Sequence, residues 1–200
     1  MAMQLESFSL GRHDALIIVD LQNDFLPGGA LGVPDGDAVI APLNACIAKF
    51  SQAGAPIFAT RDWHPADHCS FRARGGPWPP HCIADTRGAA FAAKLMLPKD
   101  VIVISKASSA DADAYSGFDH TELATQLAAR GCRRAFIAGL ATDYCVRATA
   151  LDAMRAGLQT VVLEDGVRAV NVKPTDGESA LAELQAQGAR LARSAELRTQ

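Results

Sequence analysis

The sequence predicts an α/β fold: a three-layer, doubly wound, mostly parallel six-stranded sheet. Three observations lead there. Short apolar runs recur along the chain, continuous rather than alternating, as in strands buried on both faces. Longer segments with helical periodicity lie between them and end at glycine. The two kinds of segment alternate, which favours parallel strands joined by helical crossovers.

The first apolar run is 15–19 (Ala-Leu-Ile-Ile-Val), stopping at the polar Asp20. The others are 56–60, 101–104, 135–138 and 160–163, with a weaker sixth at 189–191. Helices are predicted over 37–53, 120–130, 142–156 and 175–187, closed by Gly54, Gly131, Gly157 and Gly188. Pro42 falls in the first turns of its helix, where a missing N–H is tolerated. A ligand of such a sheet sits beyond the carboxyl ends of the strands. The stretch 62–87 breaks the pattern, being rich in Pro, Gly, His and aromatic residues without periodicity. A long irregular loop in a compact domain is usually functional.

Bulk properties exclude several classes. Two hundred residues, 49% hydrophobic, suffice for one domain over 1–200. A net charge of −3 supplies no basic face for nucleic acid and no polybasic membrane patch. No apolar run reaches 18 residues, so no membrane span is expected. The first ten residues lack a positive segment followed by an apolar one, so no secretory signal is read there. Five cysteines, an odd number spread along the chain, do not form a disulfide framework and point to a reducing cytoplasm.

Three polar residues fall at or just past strand ends: Asp20, Lys106 and Cys145. Singly, each has a plain reading as a turn former, a solvated lysine and a small buried hydrophobe. Cys145, however, follows the fourth run where a helix begins. In a first helical turn the free N–H groups and helix dipole favour a thiolate and lower its pKa. A carboxylate from a neighbouring strand end could take the thiol proton, and a lysine could hold that carboxylate ionised.

The irregular loop holds three of the five histidines, His64, His68 and His81. Asp62 and His64, two apart at the end of the second run, share one face. One carboxylate and three imidazoles suit zinc, iron or manganese rather than calcium. A structural zinc knot using the adjoining Cys69 and Cys82 is an alternative, as are surface histidines without metal. The knot lacks C-x2-C spacing and leaves Asp62 idle. His13 and His120 read as ordinary surface or capping residues.

Together these motifs resemble the isochorismatase-like hydrolase superfamily, and within it the nicotinamidase/pyrazinamidase branch, over nearly the whole chain. The pieces are Asp20-Leu21-Gln22-Asn23-Asp24-Phe25, Arg61-Asp62-Trp63-His64-Pro65-Ala66-Asp67-His68 and Trp78-Pro79-Pro80-His81-Cys82. Then come Lys106, Tyr115-Ser116-Gly117-Phe118 and Gly139-Leu140-Ala141-Thr142-Asp143-Tyr144-Cys145-Val146. The resemblance implies a catalytic triad of Asp20, Lys106 and Cys145, with one divalent ion, zinc before iron or manganese, on Asp62, His64, His68 and His81. It implies a cis peptide before Ala141, an oxyanion hole from the amides of Ala141 and Cys145, and Phe25 and Trp78 flanking a pyridine ring with Tyr115 nearby. The implied activity is hydrolysis of nicotinamide, and of pyrazinamide, through a thioester in NAD salvage. Ala107 stands where many relatives carry glycine, and 171–176 resembles the family's stretch before the last helix without matching it. Oligomeric state stays open, since relatives range from monomers to larger assemblies.

Overall fold

The computed structural model describes residues 7–199; residues 1–6 of the N-terminal stretch that was read for a signal lie outside the described residues. The chain forms β1 (Phe8–Leu10), β2 (Asp14–Val19), α1 (Ile40–Gln52), β3 (Ile57–Asp62), β4 (Ile102–Lys106) and α2 (Leu123–Ala129). It continues through β5 (Arg134–Leu140), α3 (Arg147–Arg155), β6 (Gln159–Arg168), α4 (Asp176–Ala186), β7 (Arg190–Ala192) and β8 (Leu197–Thr199). All six predicted runs become strands of one sheet, ordered β4-β3-β2-β5-β6-β7, with every neighbouring pair parallel.

The order runs outward from β2 in one direction and from β5 in the other, so the winding reverses between these two strands. Right-handed crossovers on opposite sides of that point put their helices on opposite faces. Accordingly α1 packs against β2, β3 and β6, while α3 and α4 pack on each other and on β5, β6 and β7. The central strands are fully buried, Ile17, Ile18, Phe136 and Ile137 among them. Phe136 meets Phe8 and Phe50 edge-on at 5.6 and 5.3 Å. Each such side chain contributes about 1.5–3 kcal/mol by leaving water.

Gly139 is where the two halves come closest. Its φ is +121°, and a Cβ there would lie 2.1 Å from the Val19 carbonyl oxygen. Only glycine lets the ends of β2 and β5 approach to this distance.

Four features differ from the sequence expectations. The short parallel pair β1–β8 has no counterpart among the predicted runs. β6 extends to Arg168, past the apolar run, and its pairing with β5 shifts register between Ile137 and Gly139. The helix expected from residue 120 starts at Leu123, because His120 has φ +53° and cannot be helical. The helix over 142–156 opens with a wide turn, Thr142–Val146, of π-helical geometry before α3. Among the described residues no helix is long and apolar enough to cross a membrane.

Candidate active site and metal centre

The carboxyl ends of β2, β3 and β4 deliver Asp20, Asp62 and Lys106, and the wide turn after β5 delivers Cys145. Asp62 and Lys106 are direct partners in the β3–β4 register, so their side chains leave the sheet on the same face. Asp20 has φ +47°; its amide donates to the Thr60 carbonyl, and its Oδ1 accepts the Thr60 hydroxyl at 2.6 Å.

Lys106 is the centre of the cluster. Its Nζ lies 2.5 Å from Asp62 Oδ1, 2.9 Å from Asp20 Oδ2, 3.1 Å from the Ala114 carbonyl and 3.5 Å from Cys145 Sγ. Asp20, Asp62, Lys106 and Cys145 are all buried. Burial works against the Lys106 ammonium, but the charges of Asp20 and Asp62 outweigh it and hold its pKa well above normal. Burial also works against the Asp62 carboxylate, and there Lys106 and His64 win, holding it far below its ordinary value. For Asp20 burial prevails over Lys106, and the neighbouring charge of Asp62 adds to it, so its pKa rises. Its Oδ2 makes an ion pair but accepts no well-angled hydrogen bond. A lone pair is thereby left for another proton.

The depressed thiol pKa expected at Cys145 is corrected. Burial pushes it well above the ordinary value, and Lys106 offsets this only in part. A helix terminus alone would favour the thiolate, but enclosure beside two carboxylates outweighs it. The resting group is a thiol with a base beside it.

Next to this cluster stand the histidines. His64 Nδ1 is 3.1 Å from the Ala107 carbonyl and His81 Nδ1 is 2.8 Å from the Pro79 carbonyl. A carbonyl only accepts, so in the neutral rings both Nδ1 atoms carry the hydrogen and both Nε2 atoms present lone pairs. Those Nε2 atoms face Asp62 Oδ2 at 3.5 and 4.0 Å, and His64 Nε2 has no hydrogen-bond partner. Three acceptors thus converge, within 4.8 Å of one another, with no donor among them. That convergence fits a cation: Asp62, His64 and His81 suit a divalent ion with nitrogen and oxygen preferences.

His68 departs from the expected four-residue set. Its ring stacks on His64 with centroids 4.2 Å apart, but Nδ1 meets the Ser70 hydroxyl at 2.8 Å and Nε2 faces the Ala112 carbonyl at 3.1 Å. Both nitrogens are engaged elsewhere. Cys69 and Cys82 join no donor cluster among the described residues, and all five cysteines are free thiols, which disposes of the zinc knot.

A pocket opens over Cys145 and Asp62, walled by Phe25, Trp78, His81, Tyr115 and Ala141. The Leu140–Ala141 peptide is cis, as the resemblance implies. Trp78 Nε1 donates to the Tyr115 hydroxyl at 3.0 Å. Sequence reasoning missed Tyr144, whose ring meets that of Trp78 edge-on at 5.3 Å, and the apolar Leu31, Val33, Leu140 and Val170. Tyr144 was findable, being the neighbour of Cys145; the aliphatic walls carry no local signal.

Fold and site together define a class, the three-layer α/β hydrolases with a buried thiol, carboxylate and ammonium at the point where the sheet reverses its winding. Within that class the chain belongs to the isochorismatase family, whose domain model matches residues 14–196. It is similar to the nicotinamidase of Escherichia coli K12, with 37% identity over 88% of this chain and 93% of that protein. It is also similar to the pyrazinamidase of Pyrococcus horikoshii solved with zinc, with 51% identity, a TM-score of 0.87, and 90% and 99% of the two chains covered. PnC1 from L. infantum in complex with nicotinate superposes with a TM-score of 0.91 at 39% identity, over 98% and 100% of the chains.

Proposed function

We propose that this enzyme is a nicotinamidase, hydrolysing nicotinamide, and pyrazinamide with it, to the carboxylate and ammonia, as a step of NAD salvage in the cytoplasm. The observation that carries the reading is Asp62, whose two oxygens join the ammonium of Lys106 to the imidazoles of His64 and His81 beside one aromatic-walled pocket. Relatives similar over most of their length act on these amides, which supports the substrate class.

In the reaction Asp20 takes the Cys145 proton as the sulfur attacks the carboxamide carbon. The raised pKa of Asp20 makes it a stronger base for this proton than an ordinary carboxylate would be. The amides of Ala141 and Cys145 receive the developing oxyanion. Asp20 returns the proton to the departing nitrogen, ammonia leaves, and a thioester remains on Cys145. Asp20 then deprotonates a water that attacks the thioester, and the sulfur departs to be reprotonated. Lys106 balances the charge of Asp20 throughout. Phe25 and Trp78 favour a flat heteroaromatic ring. Asp62, His64 and His81 would hold the divalent ion, zinc first, with iron and manganese accepted by the same donors. Such an ion, when bound, supplies a Lewis acid for the pyridine nitrogen and so fixes the ring's orientation.

The test is ammonia release from nicotinamide by protein of known metal content, beside pyrazinamide, carbamoyl compounds and isochorismate. Nicotinamide is expected to be the best substrate or to share first place with pyrazinamide. Cys145→Ala should abolish turnover while zinc still binds; ammonia release by that variant would end the covalent reading.

A further inference from the structure

We propose that Gln22 is a positioning residue for the metal centre, its side-chain amide standing in for a missing strand at Asp62. This rests on the reading of Asp62, His64 and His81 as the ion's ligands.

The need for such a residue follows from the sheet. β3 pairs with β2 only from Ile57 to Ala59, and the last backbone bond between them is Asp20 N to the Thr60 carbonyl. β2 then ends while β3 runs on to Asp62. Within one strand residue, the N–H and C=O point to the same side. On its β4 side the strand has a partner, but at Asp62 the side facing β2 has no backbone neighbour. A buried peptide group left without a partner is costly.

Gln22 fills that place. Its Oε1 accepts the Asp62 N–H at 2.8 Å, and its Nε2 donates to the Asp62 carbonyl at 2.8 Å and to the Ala89 carbonyl at 2.9 Å. The residue is fully buried, and all its polar groups are used on backbone. Binding both the N–H and the C=O of one residue restrains the peptide planes on either side of its Cα, and so the direction in which Cβ leaves the chain. For Asp62 that direction matters twice, because Oδ1 belongs to Lys106 at 2.5 Å and Oδ2 to the imidazoles. A glutamine between the loop that follows Asp20 and the ligand strand therefore ties the base and the ion to one frame. The same loop also anchors a second ligand segment, since Asp24 Oδ2 accepts the amide of Cys82, next to His81, at 2.8 Å.

The experiment titrates metal-free protein with zinc against a competing chromophoric chelator. It compares wild type, Gln22→Met, and Leu43→Ala, a cavity variant in the buried face of α1 away from the site. Outer residues that orient metal ligands are typically worth 10–100-fold in affinity, so Gln22→Met should weaken zinc by about that factor, and Leu43→Ala should leave it within about twofold. Alkylation of Cys145 in the metal-free proteins, followed by mass spectrometry, should proceed at similar rates in all three. If Gln22→Met fails to fold, Gln22→Asn carries the test, since its amide is one methylene too short to reach both groups. Wild-type zinc affinity in a folded Gln22 variant overturns the proposal. So does an equal loss in Leu43→Ala, or faster alkylation of Cys145 that tracks the loss, because either means general loosening. A wild type that binds no zinc, manganese or iron defeats the ligand reading itself and is recognised before any variant is compared.

Discussion

Lys106 carries more of the site than any other single side chain, because among the described residues it is the one cation enclosed with two carboxylates and a thiol. Breaking a buried charge cluster by removing one partner leaves the others uncompensated and costs about 3–5 kcal/mol. Lys106→Met should therefore lose activity and also lower the unfolding free energy by an amount in that range, measured by urea unfolding of metal-free protein. Loss of activity with unchanged stability would mean that Asp20 and Asp62 do not share the ammonium in solution. Ala107, the next residue, has φ +51°, the left-handed region that favours glycine. Here the strain is borne by a residue whose carbonyl orients His64. At this scale Asp20, Lys106, Cys145, Asp62, His64 and His81 were legible as residue types at strand ends and in one loop. Gln22 and the engagement of His68 were not, because both depend on which polar groups lie opposite in space.

At the scale of elements, the central strands β2, β3 and β5 and the first half of β6 were readable because burial on both faces leaves a continuous apolar run. The edge strands β4 and β7 carry apolar runs while partly exposed. The three-residue β1 and β8 carry no such run, and the outer half of β6 mixes buried with half-exposed and exposed positions. The start of α2 was not legible, because propensity cannot see a single left-handed residue. The junction of β2 and β5 gives the sharpest element-level prediction. Gly139→Ala would set a Cβ against the Val19 backbone in a strand conformation unsuited to side chains. Overpacking and backbone strain together cost roughly 2–5 kcal/mol, and the fall in activity should exceed that in stability, since Asp20 and Cys145 lie just beyond. The loop before α4 is held differently. Asp143 accepts the amides of Val170 and Asn171 at 2.9 and 2.8 Å, and Val170 is a pocket wall. Asp143→Ala removes two charge-assisted bonds, each worth about 1.5–3 kcal/mol at most. It should raise KM for nicotinamide while changing kcat much less; steady-state kinetics read the difference, and an equal drop in kcat would place Asp143 in the chemistry instead.

For the whole molecule, the converging acceptors of Asp62, His64 and His81 make a divalent ion a structural partner of the fold as well as part of the pocket. These three donors come from the end of β3 and from the loop that follows it, so filling the site ties that long loop to the sheet. An ion that binds the folded chain and not the unfolded one stabilises it by about 2.7 kcal/mol when free metal is a hundredfold above Kd. For a domain of this size each kcal/mol moves Tm by about 2–4 °C. Chelation should therefore lower Tm by roughly 5–10 °C under that condition, and restoring zinc, manganese or iron should reverse it together with activity. Cys145→Ala, which spares the donors, should show the full shift. His64→Ala, which removes an unpartnered Nε2, should lose most of it. A His64→Ala protein with the wild-type shift would move the ion away from this cluster, whereas a shift lost equally in Cys145→Ala would make the sulfur a ligand, a role also open to it through the grouping of Asp20, Asp62 and Cys145.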